Sequence, residues 1–315
     1  MVVPGPFSII GAPGTRNAGC LEAVSKQESM NIRHTQWTYP ILAGACLVIP
    51  ILGQDDASSL DELHAQWSAR HVEHLFNRAG FGASAKEIET WVPAGPEKLV
   101  EHLLTAPPAH AYPVHFERID RVAFKEADDE QRRLLRNAKR VADRKQRDLF
   151  LDYWLDSMIE GRQPLSDRMA LFWHGHFTSS FEIVRHSALM IQQISRFRRE
   201  GMGNFGSLLK AMLHDPALLI YLDNDANRED RPNENLAREV MELFALGVGN
   251  FGEQDVSEAA RALTGYTVGD QIFVFLKKHH DIGRKKILGI RGRHNADDLV
   301  EILSLIHISE PTRPY

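Results

Sequence analysis

The sequence predicts a mainly α protein, an irregular multi-helix bundle with little strand. Three observations predict it. Apolar residues recur at helical spacing in successive segments that open and close on helix caps. Strand signals are few: "QIFVF" at 271–275 is the clearest, and "ALLIYL" at 217–222 reads as a buried helix. No internal repeat or low-complexity segment breaks the pattern.

The elements follow in order. In "ARHVEHLFNRAGFG", Val72, Leu75 and Phe76 share a helical face, and Gly80 and Gly82 stop it. "SAKEIETW" opens on Ser84 with Glu87 three residues later, a pattern in which side chain and backbone cap each other. Pro96 in "GPEKLVEHLL" suits a first helical turn, and the prolines of "APPAHAYP" make a linker. Residues 117–160 form a long charged helical stretch. Between Glu117 and Phe150 it carries 11 Lys/Arg and 8 Asp/Glu, and these mixed signs read as a solvated face rather than a nucleic-acid surface. Trp154, Leu155 and Met158 continue this helix toward the core. "SDRMALFWHGHF" then begins another, with Ser166 as its cap after Pro164.

The densest polar stretch is "RPNENLAREVMELFALGVG". On a helix from near Asn233, Leu236, Val240, Leu243 and Phe244 share one face, while Asn235, Glu239 and Glu242 share another. Arg238 can pair with Glu242 at i+4. This polar stripe is either an exposed face with local ion pairs or the lining of a cleft. The next helix starts near Gly252 with Asp255 in its first turn, where a carboxylate suits the helix dipole. Val256, Ala259, Ala260 and Leu263 are its apolar face, and Gly265 ends it.

With 315 residues, 43% apolar and 25% charged, the chain suits one large domain or two modest ones, and its net charge of -5 gives no sign of a nucleic-acid partner. Residues 1–29 are rich in Gly and Pro without periodicity, and are read as a start-site error ahead of Met30. Residues 30–53 are read as a signal peptide: Arg33 and His34 form the positive region, Ile41–Leu52 the apolar run, and Gly53 and Gln54 follow. The competing reading is an ordinary buried segment. "AGAC" before Cys46 resembles a lipoprotein processing site, but Ala43 replaces the usual leucine and the apolar run continues past it. Cleavage near Gly53 removes Cys20 and Cys46, which excludes cysteine catalysis in a mature periplasmic or extracellular chain. Residues 54–303 are expected to form a single helical domain. From Ser304, "SLIHISEPTRPY" breaks the helical pattern and resembles a translated sequencing-adapter tail.

"FWHGHF" holds two histidines, His174 and His176, among Phe172, Trp173 and Phe177. Residues two apart do not share a helix face, so they converge only if the helix unwinds at Gly175 or the backbone is extended. Otherwise they are satisfied core residues. His279, His280 and Asp281 follow in "KKHHDIGRKKILG", and imidazole with carboxylate suits a divalent transition metal. The common nucleotide-binding, serine-hydrolase and zincin signatures are absent.

"HLFNRAGFGAS", "RMALFWHGHFTSS", "RPNENLAREVMELFALGVG", "EQDVSEAARALTGYTV" and "HHDIGRKKILG" occur in this order. Together they resemble the bacterial family catalogued as domain of unknown function 1800, over residues 67–303. The resemblance implies an exported, largely helical protein, often encoded beside another exported protein that is a candidate partner, and it brings no established reaction. The family pattern carries residues matching His174, His176, Asn233, Glu234, Asn235, Arg238, Glu239, His280 and Asp281. Gly252 stands where the family tends to have Thr, and Tyr266 where it tends to have Trp. Family members also run on beyond a segment like Leu288–Gly289, so this chain reads as C-terminally truncated.

Three functions compete. In the first, a metal-dependent hydrolase, His174, His176, Glu239 and Asp281 hold the metal. Glu234 or Glu242 is the general base, with Arg238 in the catalytic group. In the second, a non-catalytic exported scaffold or binding protein, the His/Asn/Glu/Arg run is a structural hydrogen-bond network. The third, a haem-peroxidase-like protein, rests on fold analogy alone.

Overall fold

A computed structural model describes residues 64–105, 112–115 and 121–309. The expected leader and signal peptide, and residues 310–315 of the expected tail, lie outside the described residues.

Helices α1 (Ala69–Ala79), α2 (Ala85–Trp91) and α3 (Pro96–Thr105) share a small core of Val72, Phe76, Leu99 and Leu103, rimmed by Trp67, Ile88 and Trp91. The Ser84–Glu87 cap forms as expected: Ser84 N donates to Glu87 Oε2 at 2.7 Å, and Glu87 N donates to Ser84 Oγ at 3.3 Å.

After α4 (Arg121–Glu126) comes α5 (Asp129–Glu160), 32 residues long. Asp128 and Gln131 cap its start reciprocally, and Gly161 ends it in the left-handed region at φ 61°, where a side chain would be strained. Its core side carries Phe150 and Trp154, together with buried Asp143, Gln146 and Ser157. Leu155, expected in the core, is exposed instead. It follows Trp154 by one residue, and one helical step of about 100° turns it toward solvent.

Helix α6 (Pro164–His176) begins two residues before the expected cap. Pro164 fits the first turn because its missing N–H would have no partner there. Ser166 instead donates Oγ to Arg198 O at 2.8 Å, joining α6 to α8 (Ser187–Glu200). α8 packs along α6 and against α5. The short α7 (Phe181–Val184) packs Val184 in a smaller cluster with Leu189, Met190 and Ala217, and α9 (Phe205–Leu213) and α10 (Pro216–Tyr221) complete the main core around Phe177, Phe197, Met212 and Leu218. The "ALLIYL" stretch is a buried helix, as expected.

α11 (Asn235–Glu239) runs directly into a π-helical turn, Val240–Ala245. Leu236, Val240 and Phe244 are buried as expected, but Leu243 is 60% exposed and Met241 is buried. The i→i+5 bonding of the π turn rotates the chain less per residue, which leaves Leu243 on the outer side. α12 (Glu253–Ala262) buries Val256, Ala259 and Ala260 as expected, with Leu263 at its end. Two antiparallel hairpins follow. β1 (Tyr266–Gly269) pairs with β2 (Ile272–Phe275), Tyr266 opposite Phe275, across a two-residue turn with positive φ at Asp270 and Gln271. β3 (Lys285–Ile287) pairs with β4 (Ile290–Gly292), Lys285 opposite Gly292. Gly265 at φ 79° lets the first hairpin start: a Cβ there would sit 2.8 Å from Leu276 O. The last described helix, α13 (Ala296–Ser309), passes through Ser304 without the expected break. The Ser304 hydroxyl bonds back to Val300 O at 2.8 Å, satisfied within the helix.

Candidate functional site

The two histidines of α6 do not converge. The helix stays regular through Gly175, whose surroundings are open, and closes with Phe177 N donating to Trp173 O at 2.8 Å. Two helical steps turn His176 about 200° away from His174. His174 lies edge-on to Trp154, with ring centres 6.4 Å apart, and its Nδ1 is buried without a hydrogen-bond partner. His176 sits among Phe172, Phe177, Phe205 and Phe244, parallel to the Phe172 ring at 10°. Its Nε2 donates to Phe244 O at 3.1 Å, a carbonyl inside the π turn. Burial lowers the pKa of both imidazoles, opposed at His176 by the Phe244 bond, so both are neutral at pH 7.

The asparagines form a seam rather than a cleft wall. Buried Asn224 donates Nδ2 to Leu263 O at 3.2 Å and to Tyr266 O at 2.9 Å. Buried Asn227 donates Nδ2 to Asn224 Oδ1 and to Ala260 O, each at 3.0 Å, and its Oδ1 accepts from Asn233 N at 2.9 Å. Asn233 Oδ1 accepts from Asn235 N at 2.9 Å, and Asn235 Nδ2 reaches Leu222 O at 3.3 Å. This chain of amides ties the loop between α10 and α11 to the end of α12 and the start of β1.

The charged members of the run point elsewhere. Arg238 pairs with Glu234 at 3.2 Å and bidentately with Glu253, at 3.0 and 2.8 Å, not with Glu242. The π turn begins directly after Glu239, so the i+4 relation that would join Arg238 to Glu242 is broken there. Burial raises the Glu239 carboxyl above its usual pKa, helped by the nearby Glu242 charge and opposed by Arg238.

Asp281 closes a separate cluster. Its Oδ2 accepts from Arg261 Nε at 2.6 Å and its Oδ1 from Gly283 N at 2.7 Å. Arg261 also binds Glu258 at 2.7 Å, and the fully covered Lys285 amine donates to Asp281 O. Burial works to raise the Asp281 pKa, but Arg261 and Gly283 outweigh it and hold the carboxyl low; burial lowers that of Lys285. His280 Nδ1 donates to Thr264 O at 2.8 Å. The HD pair thus fastens the second hairpin to α12.

The proposed ligands His174, His176, Glu239 and Asp281 are therefore not gathered. Among the described residues no group of three or more His, Cys, Asp or Glu is placed to hold a metal ion. Two cavities, of about 450 and 420 Å³, are lined by none of these four residues nor by Glu234, Arg238 or Glu242.

Two buried polar nodes escaped the sequence reading. Asp167 accepts from Trp154 Nε1 at 3.1 Å and Ser157 Oγ at 2.7 Å, and lies 2.7 Å from Arg198 Nε. Asp143 pairs with Lys139, which also reaches His186 Nδ1 at 3.1 Å, and accepts from Ser187 Oγ at 2.9 Å. Most of these partners lie 10 to 47 residues apart, so no local spacing announces them. Lys139–Asp143 is the exception, an i,i+4 pair.

Neither a curated protein nor a solved structure matches the chain. The family described as Protein of unknown function (DUF1800) matches it over residues 74–307, well over half its length and including the HGH, NEN and HD stretches. On that match the chain belongs to the DUF1800 family of proteins of unknown function.

Proposed function

We propose that this protein is an exported, non-catalytic helical scaffold or binding protein, with a co-encoded exported protein as its partner. One observation carries the reading: the Asn233, Asn235, His176, His280 and Asp281 side chains of the family motifs are spent on internal hydrogen bonds, and His174 is packed against Trp154. Asn227, which precedes the motif, joins this network with three bonds, to Asn224, Ala260 and the motif residue Asn233. Such a network fixes the relative placement of helices and hairpins, which suits a protein that presents a surface. Export rests on the pattern of residues 30–53.

The competing reading, a metal-dependent hydrolase, needs His174, His176, Glu239 and Asp281 around one ion, and the four lie in different surroundings. Metal content by mass spectrometry separates the two. Purified protein is expected to carry no stoichiometric transition metal, and His174→Ala/His176→Ala is expected to leave metal content unchanged. A near-stoichiometric metal that the double variant loses would overturn the scaffold reading.

A further inference from the structure

The outer face of α5 carries an apolar pattern that the described fold does not cover. Leu134, Val141, Leu151, Leu155 and Ile159 point away from the core, with Leu134 60% and Ile159 81% exposed. At helical rotation they fall within a sector of about 100°, along roughly 37 Å of helix. The buried side of the same helix carries Asp143, Gln146 and Ser157. Asn137, Arg144 and Asp148 share the sector, with Arg144 and Asp148 between an apolar group at Leu134 and Val141 and another at Leu151, Leu155 and Ile159. Isolated exposed leucines are ordinary, but two such groups aligned on one face mark an interaction surface.

The helix is also electrically polarised. Asp129–Arg147 holds eight Lys or Arg against three Asp or Glu, a net of +5. Asp148–Glu160 holds four Asp or Glu and no Lys or Arg, a net of -4. Arg133, Arg140, Arg144, Asp152 and Asp156 enter no ion pair among the described residues.

We infer that this face pairs with itself: α5 of one chain docks antiparallel on α5 of a second copy, forming a two-fold dimer. Charge decides both occupant and direction. A parallel pair sets the basic halves against each other and the acidic halves likewise. An antiparallel pair with its axis near Gln146 sets Leu134 level with Ile159, and Val141 level with Leu151. It also brings Arg140 level with Asp152 and Arg144 with Asp148, so opposite charges meet at the centre of the seam, between its two apolar ends. An anionic lipid surface would attract the basic half and repel the acidic half. The inference is independent of the scaffold reading, since none of these residues belongs to the motif network.

Analytical ultracentrifugation of the full chain, up to several hundred micromolar, tests it. A reversible dimer is expected, and Leu155→Asp/Ile159→Asp is expected to weaken it about tenfold or more. Arg140→Glu/Arg144→Glu and Asp148→Arg/Asp152→Arg are each expected to weaken it, and the four changes in one chain to restore it. That restoration requires the antiparallel direction. All these positions are exposed, so circular dichroism and melting temperature, read at dilutions where the parent is monomeric, are expected to match the parent, which separates lost association from lost folding. A chain that stays monomeric throughout overturns the inference, whether or not it sediments with anionic vesicles. A dimer indifferent to Leu155→Asp/Ile159→Asp overturns it as well.

Discussion

The histidines of α6 and the asparagines between α10 and α11 are both polar groups taken out of water, and they are treated differently. Asn224 and Asn227 spend their amide hydrogens on the carbonyls of Leu263, Tyr266 and Ala260 and on each other. His174 leaves Nδ1 without a partner, and His176 makes one bond, to Phe244 O. In the seam the polar groups are the adhesive, because their amides bond backbone groups across the joint between the loop, α12 and β1. Around the histidines the adhesive is aromatic contact, and the imidazole is a ring with a polar edge.

The comparison is broken most directly at Asn227. Asn227→Leu is expected to destabilise by roughly 2–3 kcal/mol, since it removes three hydrogen bonds of a buried side chain, to Asn224 Oδ1, Ala260 O and Asn233 N. Urea denaturation reads it, and a loss under about 1 kcal/mol would show the seam to be replaceable.

Asp215 sharpens the comparison as a buried group that is well bonded and still strained by charge. It caps α10 through Leu218 N at 3.0 Å and accepts from Gln193 Nε2 at 2.8 Å. Burial nevertheless pushes its pKa from 3.8 up to about 6, against these bonds. The folded state therefore holds the proton more tightly than the unfolded chain. Its stabilising contribution is complete below about pH 4 and is lost as pH rises through about 6. Asp215→Asn keeps a capping side chain without the titration. The stability difference between parent and variant is expected to change by roughly 2–3 kcal/mol between pH 4 and pH 7. A difference flat across that window would mean the carboxyl is not held as described.

The smallest effect is expected at the histidines. His176→Phe strands Phe244 O and should destabilise by about 1 kcal/mol, whereas His174→Phe removes an unpartnered Nδ1 and should be neutral or slightly stabilising. Thermal denaturation of the two variants side by side reads the difference. Equal losses in both would erase the contrast between the two histidines.

Much of the fold was legible because it depends on neighbours in sequence. The Ser84–Glu87 cap, the buried helix at 217–222, the strand at 272–275 and the apolar face of α12 follow from residues within a few positions of one another. Candidate residues were legible only as types. Glu242 as the partner of Arg238, Leu243 in the core and Ser166 as a cap each assumed an ideal helix, and a π turn or an early proline displaced them.

The sequence by itself determined the helical class, the Ser84–Glu87 cap and the family, since propensity, periodicity and motif order are properties of the chain. Only the tertiary structure decided what the polar residues do. It showed Asn227 bonded to Ala260, 33 residues away, Asp281 held by Arg261, 20 residues away, and His174 and His176 turned apart. Local spacing sets which side of a helix a residue occupies. Which distant group waits on that side is set by how the helices pack.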